Sequence, residues 1–146
     1  MPEEQLVAGP SLSLTLRSER ASCERARLAL LAFLASRQPS DKAIFQIEVV
    51  LEESLMNQIW HAFPDQRTDH ELGLRAEVVD DAVVLQFTDH GVHFNPLNVS
   101  APKLPKRLED ATPGGLGIFL TRKYARSAAY QRCGDENRLT VVLGLH

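Results

Sequence analysis

From Ser11 to Leu16 polar and apolar residues alternate, with Leu12, Leu14 and Leu16 on one side of an extended chain. That pattern predicts a strand. Ser18 is placed to cap a helix carrying Ala21, Arg25, Leu28, Leu31 and Leu34. Gln38-Pro39-Ser40-Asp41 interrupts it, and Ser40 or Asp41 can cap a second helix, from about Lys42 to Phe63. There Ile44, Ile47, Leu51, Leu55, Ile59 and Ala62 recur at spacings of three and four, which draws one apolar stripe. Val49, Val50, Met56 and Trp60 lie on the other side, so this helix is either covered on both sides or lines a pocket.

Two strand patterns follow, Glu71 to Val79 and Val83 to Thr88, with Asp80-Asp81 as the turn of a hairpin. Asp89 to Pro113 is long and irregular, with prolines at 96, 102, 105 and 113; inside a compact domain such a loop usually carries function. A glycine-rich entry then opens a helix from Gly114 to about Arg126. Ser127 to Arg132 and Leu139 to Leu145 close the chain as a strand pair around Gly134-Asp135-Glu136-Asn137. Helices segregated from hairpins predict an α+β fold, a two-layer sandwich with a mostly antiparallel mixed sheet and the helices on one face.

Composition narrows the function classes. At 146 residues the chain is one domain, 1–146, able to bury a core without disulfides or structural metal. Sixteen basic against nineteen acidic residues leave a net charge of -3, which offers no basic footprint for nucleic acid or an anionic membrane. No apolar run approaches a membrane span; the longest, Leu28 to Ala35, is short. Met1-Pro2-Glu3-Glu4 lacks the basic start of a secretion signal, and Cys23 and Cys133 form no metal spacing, so a cytoplasmic protein with reduced thiols is expected.

Three segments can carry chemistry. Glu53-x-x-x-Asn57-x-x-x-His61 stacks polar groups along one side of the second helix, drifting by about 40° per step. A carboxylate in partly apolar surroundings can serve as a base near neutral pH, and an amide oxygen suits Mg²⁺. Asp89-His90-Gly91-Val92-His93-Phe94-Asn95-Pro96 follows a strand: the aspartate can accept from an exocyclic amine, and Gly91 lets backbone approach a flat ring. Pro113-Gly114-Gly115-Leu116-Gly117-Ile118 opens a helix whose free N–H groups can face an anion, yet it is neither a Walker A nor a dinucleotide fingerprint. Each segment alone is ordinary: a solvated helix face, a turn, a tight loop. His61, His90 and His93 match no zinc signature.

Taken together and in this order, the segments resemble the N, G1 and G2 boxes of the GHKL (Bergerat-fold) ATPase superfamily. The likeness is closest to the anti-sigma-factor serine/threonine kinases and extends from about Leu12 to Leu145. It implies ATP and Mg²⁺ as cofactors. Glu53 would be the general base, and Asn57 the Mg²⁺ ligand. Asp89 would hold the adenine amine with Gly91 against the ring. Gly115, Leu116 and Gly117 would give backbone contacts to phosphate, and Thr140 an adenine-side hydroxyl. Residues 92–113 would form the ATP lid, with Lys103, Lys106 and Arg107 as its cations and Arg107 favoured at the transferring phosphate. The expected partners are a sigma factor and a STAS-domain anti-anti-sigma factor, with a homodimer possible and neither nucleic acid nor membrane involved. The alternative is a catalytically silent nucleotide-binding module that switches protein partners. Arg126 stands where relatives are usually acidic.

Overall fold

The computed structural model describes residues 11–98 and 115–146. Five strands form one sheet: β1 (Ser11–Arg17), β2 (Glu71–Val79), β3 (Ala82–Asp89), β4 (Ser127–Cys133) and β5 (Glu136–Gly144). Their order across the sheet is β1-β2-β3-β5-β4, and every neighbouring pair is antiparallel, so the expected admixture of parallel pairing is absent among the described residues. Three helices complete the α+β fold: α1 (Ala21–Leu34), α2 (Asp41–Asn57) and α3 (Gly115–Tyr124).

Strand periodicity sets the layers. Leu72, Leu74, Ala76 and Val78 of β2, Val83, Leu85 and Phe87 of β3, and Leu139, Val141 and Leu143 of β5 all turn to one face and are buried. They pack with Leu30 and Leu34 of α1 and Ile47, Leu51 and Leu55 of α2 into one core. Side chains alternate along a strand, so Arg75, Gln86 and Thr140 belong to the opposite face. Asp80 adopts the left-handed conformation (φ 55°) in the two-residue β2–β3 turn, and Gly134 does so (φ 62°) in the β4–β5 turn.

Two helix expectations change. Ser18 does not cap α1: Arg20 precedes the helix with no side-chain cap, while the Ser18 hydroxyl donates to the Arg67 carbonyl at 2.8 Å. The buried stripe of α1 is Ser22, Ala26, Leu30 and Leu34, and Leu28 is 55% exposed. The cap of α2 is as expected, with the Ser40 hydroxyl accepting from Ala43 N at 3.1 Å. Its stripe is buried at Ile47, Leu51, Leu55 and Ala62, and Val50 and Met56 on the second side are buried too. After Asn57 the helix widens into a π-turn over Gln58–Ala62, a departure that simple 3.6-residue periodicity cannot reveal.

The end of the chain is strapped to the body. Leu145, 1% exposed, donates from its N–H to Asp81 O at 2.8 Å and accepts from Ser40 N at 2.9 Å.

Candidate nucleotide site

β3 ends at Asp89, whose position continues the buried alternation of Val83, Leu85 and Phe87. A buried carboxylate is costly unless its oxygens are hydrogen-bonded, and here three donors converge. Gly91 N and Asn137 Nδ2 each reach Oδ1 at 2.9 Å, and Gln58 Nε2 reaches Oδ2 at 3.0 Å. A carboxylate offers about four acceptor positions, so one remains open, on Oδ2. Asp89 lines a narrow cleft of about 20 Å³ with Ser54 and Asn57 of α2, Gln58 of the π-turn, and Tyr130, Asn137 and Leu139 of the last hairpin. Phe87, Ala62, Phe94 and Pro96 add apolar wall. Apolar walls with a few fixed polar groups are the kind of lining that takes a flat heteroaromatic ring, and at this volume the cleft must widen to admit one.

Asn137 organises one side of this cleft. Its Nδ2 donates to Asp89 and, at 2.8 Å, to Val92 O. Its Oδ1 accepts from the Tyr130 hydroxyl, from Arg132 Nη1 at 3.1 Å and from Phe94 N at 3.3 Å. One buried amide thereby joins β5, β4, the strand-end carboxylate and the first residues beyond it. Arg132 adds a second tie, donating from Nη1 to Gly91 O at 2.9 Å.

The α2 motif splits. Asn57 is buried and lines the cleft. Glu53 lies one turn earlier, half-buried and outside the cleft lining. Burial first, and the neighbouring Glu52 charge second, raise its carboxyl above the ordinary range. His61, within the widened turn, stacks on Phe94 with ring centroids 4.6 Å apart. Among the described residues no group of three His, Cys, Asp or Glu could hold a metal ion.

Gly91 has a role that the sequence did not suggest. A Cβ there would strike the carbonyl oxygen of Ala62 and stand 2.6 Å from the Ala62 Cβ. Val92 N donates to that same carbonyl at 2.8 Å. The missing side chain therefore lets the strand exit dock under the π-turn of α2. Thr140 is not brought to the site: it alternates with the buried Leu139 and Val141 and pairs with Gln86 on the far face of the sheet. Asn137, three residues earlier on the buried face, stands at the cleft instead. Gly115, Leu116 and Gly117 form the first turn of α3, which packs along α2. Arg107, Lys103 and Lys106, and residues 99–113 of the expected lid, lie outside the described residues. Arg126 is a surface ion-pair residue, its guanidinium forked onto Asp81 at 2.9 and 3.0 Å.

A sheet covered on one face by helices, with a sunken aspartate at a central strand end beside a Glu-x-x-x-Asn helix, defines an ATPase domain of the Bergerat type. The description "histidine kinase-like ATPase domain" matches residues 16–143, and the chain belongs to that family. The serine/threonine-protein kinase BtrW of Bordetella bronchiseptica is 34% identical over 99 residues, 67% of this chain and 68% of that one. The anti-sigma F factor of Clostridium beijerinckii is 26% identical over 99 residues, 68% of each chain. Among solved structures, the RsbU and RsbW domains of a Mycobacterium tuberculosis protein share the fold with a TM-score of 0.66 at 16% identity, across 93% of this chain and 32% of that one. The histidine kinase domain of an Erythrobacter litoralis blue-light-activated kinase gives 0.51 at 17% identity, across 86% and 60%. No helix among the described residues is long and apolar enough to cross a membrane.

Proposed function

We propose that this chain is a cytoplasmic, Mg²⁺-ATP-dependent serine/threonine protein kinase. In this reading it phosphorylates a STAS-domain anti-anti-sigma partner and sequesters a sigma factor. The observation that carries the reading is Asp89, a buried carboxylate with three fixed donors and one open acceptor in an apolar slot beside Asn57. The open acceptor fits an adenine amine, and the kinase and anti-sigma names of the relatives fit the rest.

The roles follow from the chemistry. Asp89 accepts from the exocyclic amine while Phe87, Ala62 and Leu139 exclude water around the ring. Asn57 offers the oxygen for Mg²⁺, which, when bound, neutralises charge on the phosphates. The first-turn N–H groups of Gly115, Leu116 and Gly117 have no intrahelical partner and can meet phosphate oxygens. Glu53, its basicity raised by burial, takes the hydroxyl proton of the substrate serine as that oxygen attacks the terminal phosphoryl group and the bond from its phosphorus to the bridging oxygen breaks, releasing ADP. Arg107 is the proposed cation at the transferring phosphate.

The decisive assay is transfer of labelled γ-phosphate to STAS-domain proteins from the same cell, with Glu53→Ala as control. Transfer lost in the variant, with nucleotide binding kept, supports the kinase. Tight nucleotide binding with no transfer to any STAS protein overturns it in favour of a silent partner-switching module.

A further inference from the structure

Gln58 is 8% exposed, and its side chain lies against the cleft. Its amide orientation is fixed by two acceptors: Nε2 donates to Asp89 Oδ2 at 3.0 Å and to Thr88 O at 3.1 Å. Flipping the amide would set oxygen against oxygen twice. The carbonyl oxygen Oε1 is therefore committed to the other side, where it is buried with no donor among the described residues. Buried acceptors without a partner are rare in native structures, and each calls for an explanation. The open position on Asp89 and the unmet Oε1 belong to side chains joined by one hydrogen bond and lining one slot.

The geometry points to Gln58 as a second reader of the base, with Oε1 accepting one hydrogen of an exocyclic amine and Asp89 Oδ2 the other. The inference rests on the cleft being an adenine site and deepens that assignment. Two acceptors side by side select a purine carrying an NH₂ group. They reject one with an oxygen at that position, because oxygen would leave both acceptors unpaired in a dry slot. Asn57 and the glycine turn play no part in this choice, since they face the phosphate end in the proposed scheme.

The test compares ADP with purine riboside 5′-diphosphate, which lacks only the amine, and with IDP, by calorimetry on the wild type and Gln58→Leu. The wild type is expected to prefer ADP by about 100-fold or more, and Gln58→Leu to shrink that preference by about ten-fold. Loss of the Gln58 donor alone leaves Asp89 freer to accept from the amine and would move the preference upward, so the sign separates a reader from a mere support. A preference unchanged or increased in Gln58→Leu, with ADP still bound, overturns this inference and leaves the adenine site standing. A wild type that binds neither ADP nor ATP overturns both. Should Gln58→Leu fail to fold, a crystal structure of the wild-type ADP complex decides. Oε1 within about 3.2 Å of the amine nitrogen supports the assignment, and a water satisfying Oε1 overturns it.

Discussion

Asn137→Asp changes one atom of the hub and almost none of its shape. The oxygen equivalent to Oδ1 keeps its three donors, Tyr130, Arg132 and Phe94. The oxygen that replaces Nδ2 faces only acceptors: Asp89 Oδ1 at 2.9 Å and Val92 O at 2.8 Å. Two carboxylates about 3 Å apart do not both ionise, so the new group must hold a proton or leave its place. A raised pKa of roughly two to three units, at about 1.4 kcal/mol each, sets the cost at about 3–4 kcal/mol at neutral pH. The sign is fixed by linkage. The folded-state pKa of the new carboxyl lies above its unfolded value near 3.9, so the penalty is absent below that value. It grows as pH rises toward the folded pKa and is constant beyond. Urea unfolding of both proteins from pH 4 to pH 8 measures it. A difference for Asn137→Asp that is itself flat across this range, or under about 1 kcal/mol at pH 7.5, refutes the assigned hydrogen-bond directions.

Gly91→Ala pushes a methyl into the Ala62 carbonyl and should lower stability by about 1–3 kcal/mol, read as a reduced urea midpoint at unchanged slope. Glu52→Gln removes the second cause of the raised Glu53 carboxyl, so the acid limb of the phosphotransfer rate should move to lower pH. Because the Glu53 pKa is raised in the fold, its contribution to stability is present at acid pH and lost as pH rises. Glu53→Gln should accordingly be no less stable than wild type at pH 7, and thermal melts at pH 4 and pH 7 check this. Burial, with Glu52 next, pushes the Cys23 thiol up to about 11. Its labelling by a disulfide reagent at pH 8 should be slow and should quicken about ten-fold per pH unit, which mass spectrometry of timed digests resolves.

Much of this architecture was legible in the chain. Alternation marked β1, β2 and β3, and the Ser40 cap and the Ile47-Leu51-Leu55 stripe marked α2, because each depends on neighbours within a turn or two. The cleft was legible at Asp89 and Asn57 only through the resemblance. Asn137 was missed because it falls in the expected closing turn, whereas β5 begins at Glu136 and places it in step with Leu139, Val141 and Leu143. The same alternation places Thr140 on the other face, against the expectation drawn from the family. Gln58 gave no sign. Its value depends on Asp89, 31 positions away, and on a π-turn that no periodicity announces. The stripe of α1 was misplaced because Leu28, Leu31 and Leu34 fit a helical spacing as well as Ala26, Leu30 and Leu34 do. The choice between them is made by contact with the sheet.

The strap at Leu145 makes the last residues part of the N-terminal end of the longest helix. Ser40, whose hydroxyl caps that helix, has its own N–H held by the Leu145 carbonyl, while the Leu145 N–H holds the hairpin turn at Asp81. Trimming two residues from this end is therefore chemically a helix-cap and hairpin lesion at once. Whatever is joined beyond His146 therefore begins one residue from a backbone group held on both sides, and strain applied there reaches the helix cap and the hairpin turn together.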